Sequence, residues 1–111
     1  MPGITRKSFN QPDDDMPFTH GHMQVVRVGD DQEVWRSILP KGWNWDEDLK
    51  PYAEGATSCP MTHREYVESG RIRYLTDDGV EVIGEPGDYL YILPGHRAWT
   101  VGEETCVLID W

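Results

Sequence analysis

Basic residues are scarce in this chain. Ten Lys and Arg stand against twenty Asp and Glu, which leaves a formal net charge of −10 at neutral pH. Nucleic acid and anionic membrane surfaces both require clustered positive charge, so neither is an expected partner. Cysteine is scarcer still. Two thiols, Cys59 and Cys106, cannot build the framework of a disulfide-stapled domain, and reduced thiols are the simpler expectation. No apolar run approaches the ~20 residues of a membrane-spanning helix. The opening residues lack the apolar stretch of a secretory signal. Together these absences lead to the expectation of a soluble, cytoplasmic protein.

Turn formers and aromatics are plentiful: eleven Gly, eight Pro, five Trp and five Tyr in 111 residues. That length is one domain, and turn signals every few residues favour strands over helices. Residues 1–22 read as an N-terminal arm, either flexible or exchanging a strand with a neighbouring subunit. Two histidines in the arm, His20 and His22, flank a glycine and read as structural or exposed. Residues 23–111 read as the folded domain. Strands are expected over 23–28, 33–39, 63–67, 71–75, 80–83, 89–93, 98–101 and 105–110. The Asp78-Gly79 pair between the fourth and fifth suits a hairpin that needs positive φ.

Period-two alternation assigns faces. Trp35, Ser37 and Leu39 share one face of their strand, with Val34, Arg36 and Ile38 on the other. His63, Glu65 and Val67 share a face, as do Ile72 and Tyr74. Trp43 and Trp45 are spaced to share one side of an extended segment, as core packing or as a pocket wall. The acidic runs 13–15 and 46–48 read as solvated surface, and the segment 46–52 as a loop or helical turn. Eight or more short strands without a convincing helix imply two antiparallel sheets or a closed barrel.

The segment 87–99, GDYLYILPGHRAW, is the focus of the chain. An apolar strand ends in a Pro-Gly turn that delivers His96. The order His63…Gly70…Asp78-Gly79…Pro86-Gly87-Asp88…Pro94-Gly95-His96 resembles the cupins, small β-barrels of jelly-roll type. The resemblance spans residues 34–111. KGWNW, LKP, TSC, YVESGR, DDG, EPGD, LPGHRAW, VGEETC and IDW are similar to a group of compact single-domain cupins. It implies an all-β, cupin-type jelly-roll fold, and it says little about chemistry, because one fold carries many activities. Members of this family often pair through sheet edges, so a homodimer is expected; an open sandwich also leaves edges that need cover.

The usual cupin ligand set of two His, one Glu and a third His is absent. Aligned on Gly70, His63 falls at the glutamate position, Cys59 at the second histidine and Thr57 at the first. Aligned on Gly95, Ala98 falls at the third, with His96 two residues earlier.

Cys59, His63 and His96 remain as a three-ligand set for a divalent metal (Zn, Fe, Mn or Ni), leaving a position open to water or substrate. Each has a plainer reading, Cys59 as a buried hydrophobe and the histidines as hydrogen-bonded structural residues. His63, His96, Glu65 and Tyr66 are the candidates for proton transfer. Trp43, Trp45, Lys50, Tyr91 and Trp99 are the candidates for holding a small molecule. Asp110 is either a strand-terminal surface acid or a partner for a histidine, and Cys106 belongs to the core. No Ser-His-Asp order, phosphate loop or Cys-x-x-Cys pair is present, and no organic cofactor is expected. Two functions fit: a metal-dependent enzyme acting on a small organic substrate, or a non-catalytic cupin that binds or senses a small molecule.

Overall fold

The computed structural model describes residues 3–111; Met1 and Pro2 of the expected arm lie outside the described residues. Nine strands form. They are β1 (Asp14–Pro17), β2 (His22–Val28), β3 (Gln32–Leu39), β4 (His63–Ser69), β5 (Arg71–Thr76), β6 (Glu81–Gly84), β7 (Tyr89–Ile92), β8 (His96–Val101) and β9 (Cys106–Asp110). A one-turn helix α1 (Trp45–Asp48) and a 3₁₀ turn (Lys50–Tyr52) fill the link between β3 and β4. Six strands pair in the order β1-β2-β3-β9-β4-β7 and three in the order β6-β5-β8. Every pairing is antiparallel. Among the described residues, no helix is long and apolar enough to cross a membrane.

The two sheets face each other across a core that includes Leu39, Val67, Ile72, Cys106 and Leu108, each at most 2% exposed. All come from the inward register of their strands, so alternation alone places them. The passage from β4 to β5 carries the chain from the larger sheet to the smaller one. It turns on Gly70 at φ +68°, where a Cβ would lie 2.6 Å from the Cys106 Cα. Only glycine meets both demands.

Four expectations need correction. Pro17 and its three predecessors are not loose, because β1 pairs with β2 of the same chain along the edge of the large sheet. Trp45 does not continue an extended segment; it opens α1, with the Asn44 side chain accepting the Glu47 N–H at 2.9 Å as N-cap. β8 begins at His96 rather than Ala98, because its ladder with β5 runs on through Leu75↔Arg97 to Thr76↔His96. Finally, the run 46–48 is not wholly solvated, since Asp48 is 1% exposed. Its carboxylate accepts the backbone N–H groups of His20 (2.7 Å) and Asn44 (3.0 Å) and bonds the His20 ring at 3.1 Å. Those partners come from the arm and the helix N-terminus, so Asp48 ties the arm to the domain.

Candidate functional site

Strand alternation turns a set of polar side chains into the space between the sheets. β4 contributes His63 and Glu65, β5 contributes Tyr74, β8 contributes His96, and β9 contributes Asp110. They border a cavity of about 480 Å³ whose remaining wall is largely aromatic and aliphatic. Trp43 and Trp45 are both part of that wall and are 5% and 2% exposed.

Cys59 precedes β4 and is fixed by backbone pairing. Its N–H donates to the His96 carbonyl at 2.7 Å, and its carbonyl accepts the Gly95 N–H at 2.8 Å. This bridge brings the thiol beside His96 and His63. The Cys59 Sγ to His63 Nε2 separation is 3.6 Å, and the two imidazole centroids are 5.2 Å apart. Ligand atoms of Cys59, His63 and His96 all lie within 4.8 Å of one another.

Each imidazole is oriented by an acceptor. His63 Nδ1–H donates to Asp110 Oδ2 at 3.0 Å, and His96 Nδ1–H donates to the Leu93 carbonyl at 2.7 Å. The register explains the first contact: β9 places Asp110 opposite Glu65, one pleat from His63 and within diagonal reach. Behind them, the Tyr74 hydroxyl donates to Glu65 Oε1, and both side chains are buried. Asp110 is thus a histidine partner, the second of its two expected readings.

The electrostatics follow from these contacts. Burial alone would push the Cys59 thiol up, but hydrogen bonds from His63 and His96 outweigh it and bring the thiol down to about 6. Burial would likewise lower His63; the Asp110 and Cys59 hydrogen bonds outweigh it and lift the imidazole to about 10. Burial pushes Glu65 above the usual carboxylate range, offset in part by the His63 charge. Burial, joined by the Glu65 carboxylate, raises Tyr74 well above its ordinary value. In metal-free protein, Cys59 and His63 therefore form a thiolate–imidazolium pair backed by Asp110.

The sign of each shift sets a pH window. A lowered Cys59 contributes stability that is lost as pH falls through about 6; a raised His63 contributes stability that is lost as pH rises through about 10. Iodoacetamide should accordingly alkylate Cys59 in chelator-treated protein with a midpoint near pH 6. Cys106, pushed up to about 12 by burial, should stay unmodified in the folded protein. A Cys59 midpoint above about pH 8, the range of an ordinary thiol, would contradict the pair.

Other expected site residues lie elsewhere. Tyr66 is one residue out of phase with Glu65 and is exposed. Tyr91 points outward because its neighbours Leu90 and Ile92 pack against the core, and Arg64 stacks on its ring at 5.7 Å. Trp99 is out of phase with His96 and Ala98, and lies outside the cavity with the Arg73 and Arg97 guanidinium groups 5.4 and 5.5 Å from its ring centre. Lys50 is exposed in the 3₁₀ turn and does not line the cavity. Conversely, Glu33, Trp35, Tyr74 and Trp111 do line it. Alternation had already grouped Trp35 with Leu39 and Tyr74 with Ile72, so the signal for those two was present.

No protein-family model matches the chain, and no curated protein matches it. Solved structures do. An RmlC-like cupin from Shewanella frigidimarina superposes with a TM-score of 0.62 at 16% identity, covering 96% of this chain and 90% of that one. A protein of unknown function (DUF1255) from Acidithiobacillus ferrooxidans gives 0.60 at 14% identity, covering 90% and 88%. A cupin-like protein from Thermotoga maritima gives 0.53 at 20% identity, covering 99% and 79%. The fold is therefore that of the small RmlC-like cupins, an all-β jelly roll, as the sequence resemblance implied. At such identities the likeness concerns fold alone.

Proposed function

We propose that this chain is a small-molecule-binding cupin whose cavity holds one divalent metal ion on Cys59 Sγ, His63 Nε2 and His96 Nε2. One observation carries the reading: both imidazoles spend Nδ1–H on a fixed acceptor. That leaves Nε2 of each ring as the nitrogen for a metal; His63 Nε2 is 3.6 Å from the thiol, and one nitrogen of each ring lies within 4.8 Å of the thiol and of the other ring's. An acceptor behind each histidine is the usual support of a metal ligand. One thiolate with two imidazoles suits zinc first and iron second.

Bound there, such an ion would polarise a ligand atom at its open position. The chain's own residues supply the rest. Asp110 and the Leu93 carbonyl hold the two rings in place. With His63 and His96 engaged as ligands, Glu65 is the group left to take or give a proton at its carboxyl, which Tyr74 orients. Trp43 and Trp45 limit water at the buried end of the cavity.

Elemental analysis of untagged protein purified without chelator tests this reading, alongside a Cys59→Ser/His63→Ala variant. About one equivalent of zinc or iron is expected, falling below roughly a tenth in the variant. No metal in either sample, with both folded, would favour the second reading, a metal-free binding or sensing cupin. A specific observation supports that alternative: Cys59, His63 and Asp110 compensate one another without an ion.

We also infer a homodimer. β6 and β7 end their sheets, and Val80, Val82, Tyr89, Tyr91 and Leu93, all exposed, border a groove between them. Such a patch on free strand edges calls for cover. A reducing, cytoplasmic location fits two cysteines that are buried and unpaired.

A further inference from the structure

The cavity combines two features. First, four of the five tryptophans of the chain line it, namely Trp35, Trp43, Trp45 and Trp111, with Tyr52 beside them at the exposed end. Second, its charged lining side chains other than histidine are the acids Glu33, Glu65 and Asp110, and among the described residues no Lys or Arg lines it. Basic residues that adjoin lining residues in sequence are engaged elsewhere: Arg64 stacks on Tyr91, Arg73 pairs with Glu81 at 2.8 Å and Arg97 with Asp46 at 3.5 Å.

Each feature selects ligand chemistry. Aromatic faces attract cations through the ring quadrupole, most strongly for tryptophan and where water is excluded. Acids in an enclosure free of Lys and Arg repel anions and favour positive charge. Glu33 is not fully neutralised by its neighbour, since its contact with Arg27 (3.0 Å) is half-exposed. A divalent ion on Cys59, His63 and His96 would not reverse this balance, because the Cys59 thiolate and the Asp110 carboxylate offset its charge.

We propose that the cavity takes an organic cation, a quaternary ammonium group seated against the indole faces. This deepens the small-molecule reading above; it rests on the cavity being a ligand site and not on the metal.

Three probes of one shape separate the possibilities: choline, its neutral isostere 3,3-dimethylbutan-1-ol, and the anion 3,3-dimethylbutanoate. Binding is measured by calorimetry on the full chain as purified and again after dialysis against EDTA, with metal content determined on both samples. Choline is expected to bind at least roughly tenfold tighter than either relative in both samples. In a ¹H–¹⁵N spectrum it should move the Trp43 indole resonance and leave that of Trp99, outside the cavity, in place. Trp111→Leu, at the half-exposed end of the cavity, should weaken choline about fivefold and the neutral alcohol less than about twofold.

The proposal is overturned if the alcohol or the carboxylate matches choline in either sample. It is equally overturned if choline fails to bind or moves only Trp99. Metal content, read separately, decides the metal site whichever way these results fall.

Discussion

Asp110→Asn is expected to weaken zinc binding about 10- to 100-fold while leaving the fold intact. The carboxylate accepts the His63 Nδ1–H at 3.0 Å and thereby keeps a proton on Nδ1, so that Nε2 is the nitrogen that gives up its proton to a metal ion. The amide has the same shape but no charge. It can also rotate to present its NH₂, which would draw the imidazole lone pair to Nδ1, move the proton to Nε2 and block coordination. Asp110 is about a quarter exposed, so the isosteric change leaves no buried cavity.

The check is a zinc titration against a competing chelator, with denaturant unfolding of both proteins as the control for fold. Equal zinc affinity in the two proteins would remove Asp110 from the site. In chelator-treated protein the same substitution should raise the Cys59 alkylation midpoint above 6, because an imidazolium without its carboxylate partner holds the thiolate less well.

Asp48→Ala is expected to cost about 3 kcal/mol of folding stability. Two backbone N–H groups, of His20 and Asn44, end on this carboxylate at 2.7 and 3.0 Å, with the His20 ring at 3.1 Å. At 1% exposure, little water can replace it, so the alanine would strand both donors at a buried junction. Asp48→Asn keeps one acceptor oxygen but turns an NH₂ toward other donors, and should fall between alanine and the native residue. Urea unfolding of the three proteins measures the series. A loss below about 1 kcal/mol for alanine, the range of an ordinary exposed hydrogen bond, would show that the junction is wetter or more adaptable than its geometry.

These residues also separate what a one-dimensional reading reaches from what it misses. His63, Glu65 and Val67 could be assigned to one face because a strand has a period of two, whatever its neighbours are. The turn before His96 was equally legible, since Pro-Gly chemistry acts over a few residues.

Tyr91 and Trp99 went astray for a different reason. Both lie on real strands and both are aromatic, yet which parity faces inward depends on the partner strand and on where the strand starts. β7 sits at a sheet edge with Leu90 and Ile92 inside, and β8 starts at His96 because its ladder with β5 extends to Thr76. Lys50 was legible as a cation in a turn; its distance from the cavity was not.

By itself, then, the sequence determined the strand pattern, the turn chemistry, the resemblance to the cupins and the grouping of His63 with Glu65, because each rests on forces that act within a few residues. The closed folding of the chain decided the rest. His63 and Asp110 are 47 positions apart, and His20 and Asp48 are 28 apart. No local propensity carries that information. It arises only when sheet register and burial bring distant side chains into a low-dielectric interior, where a polar group left unpaired is too costly to keep.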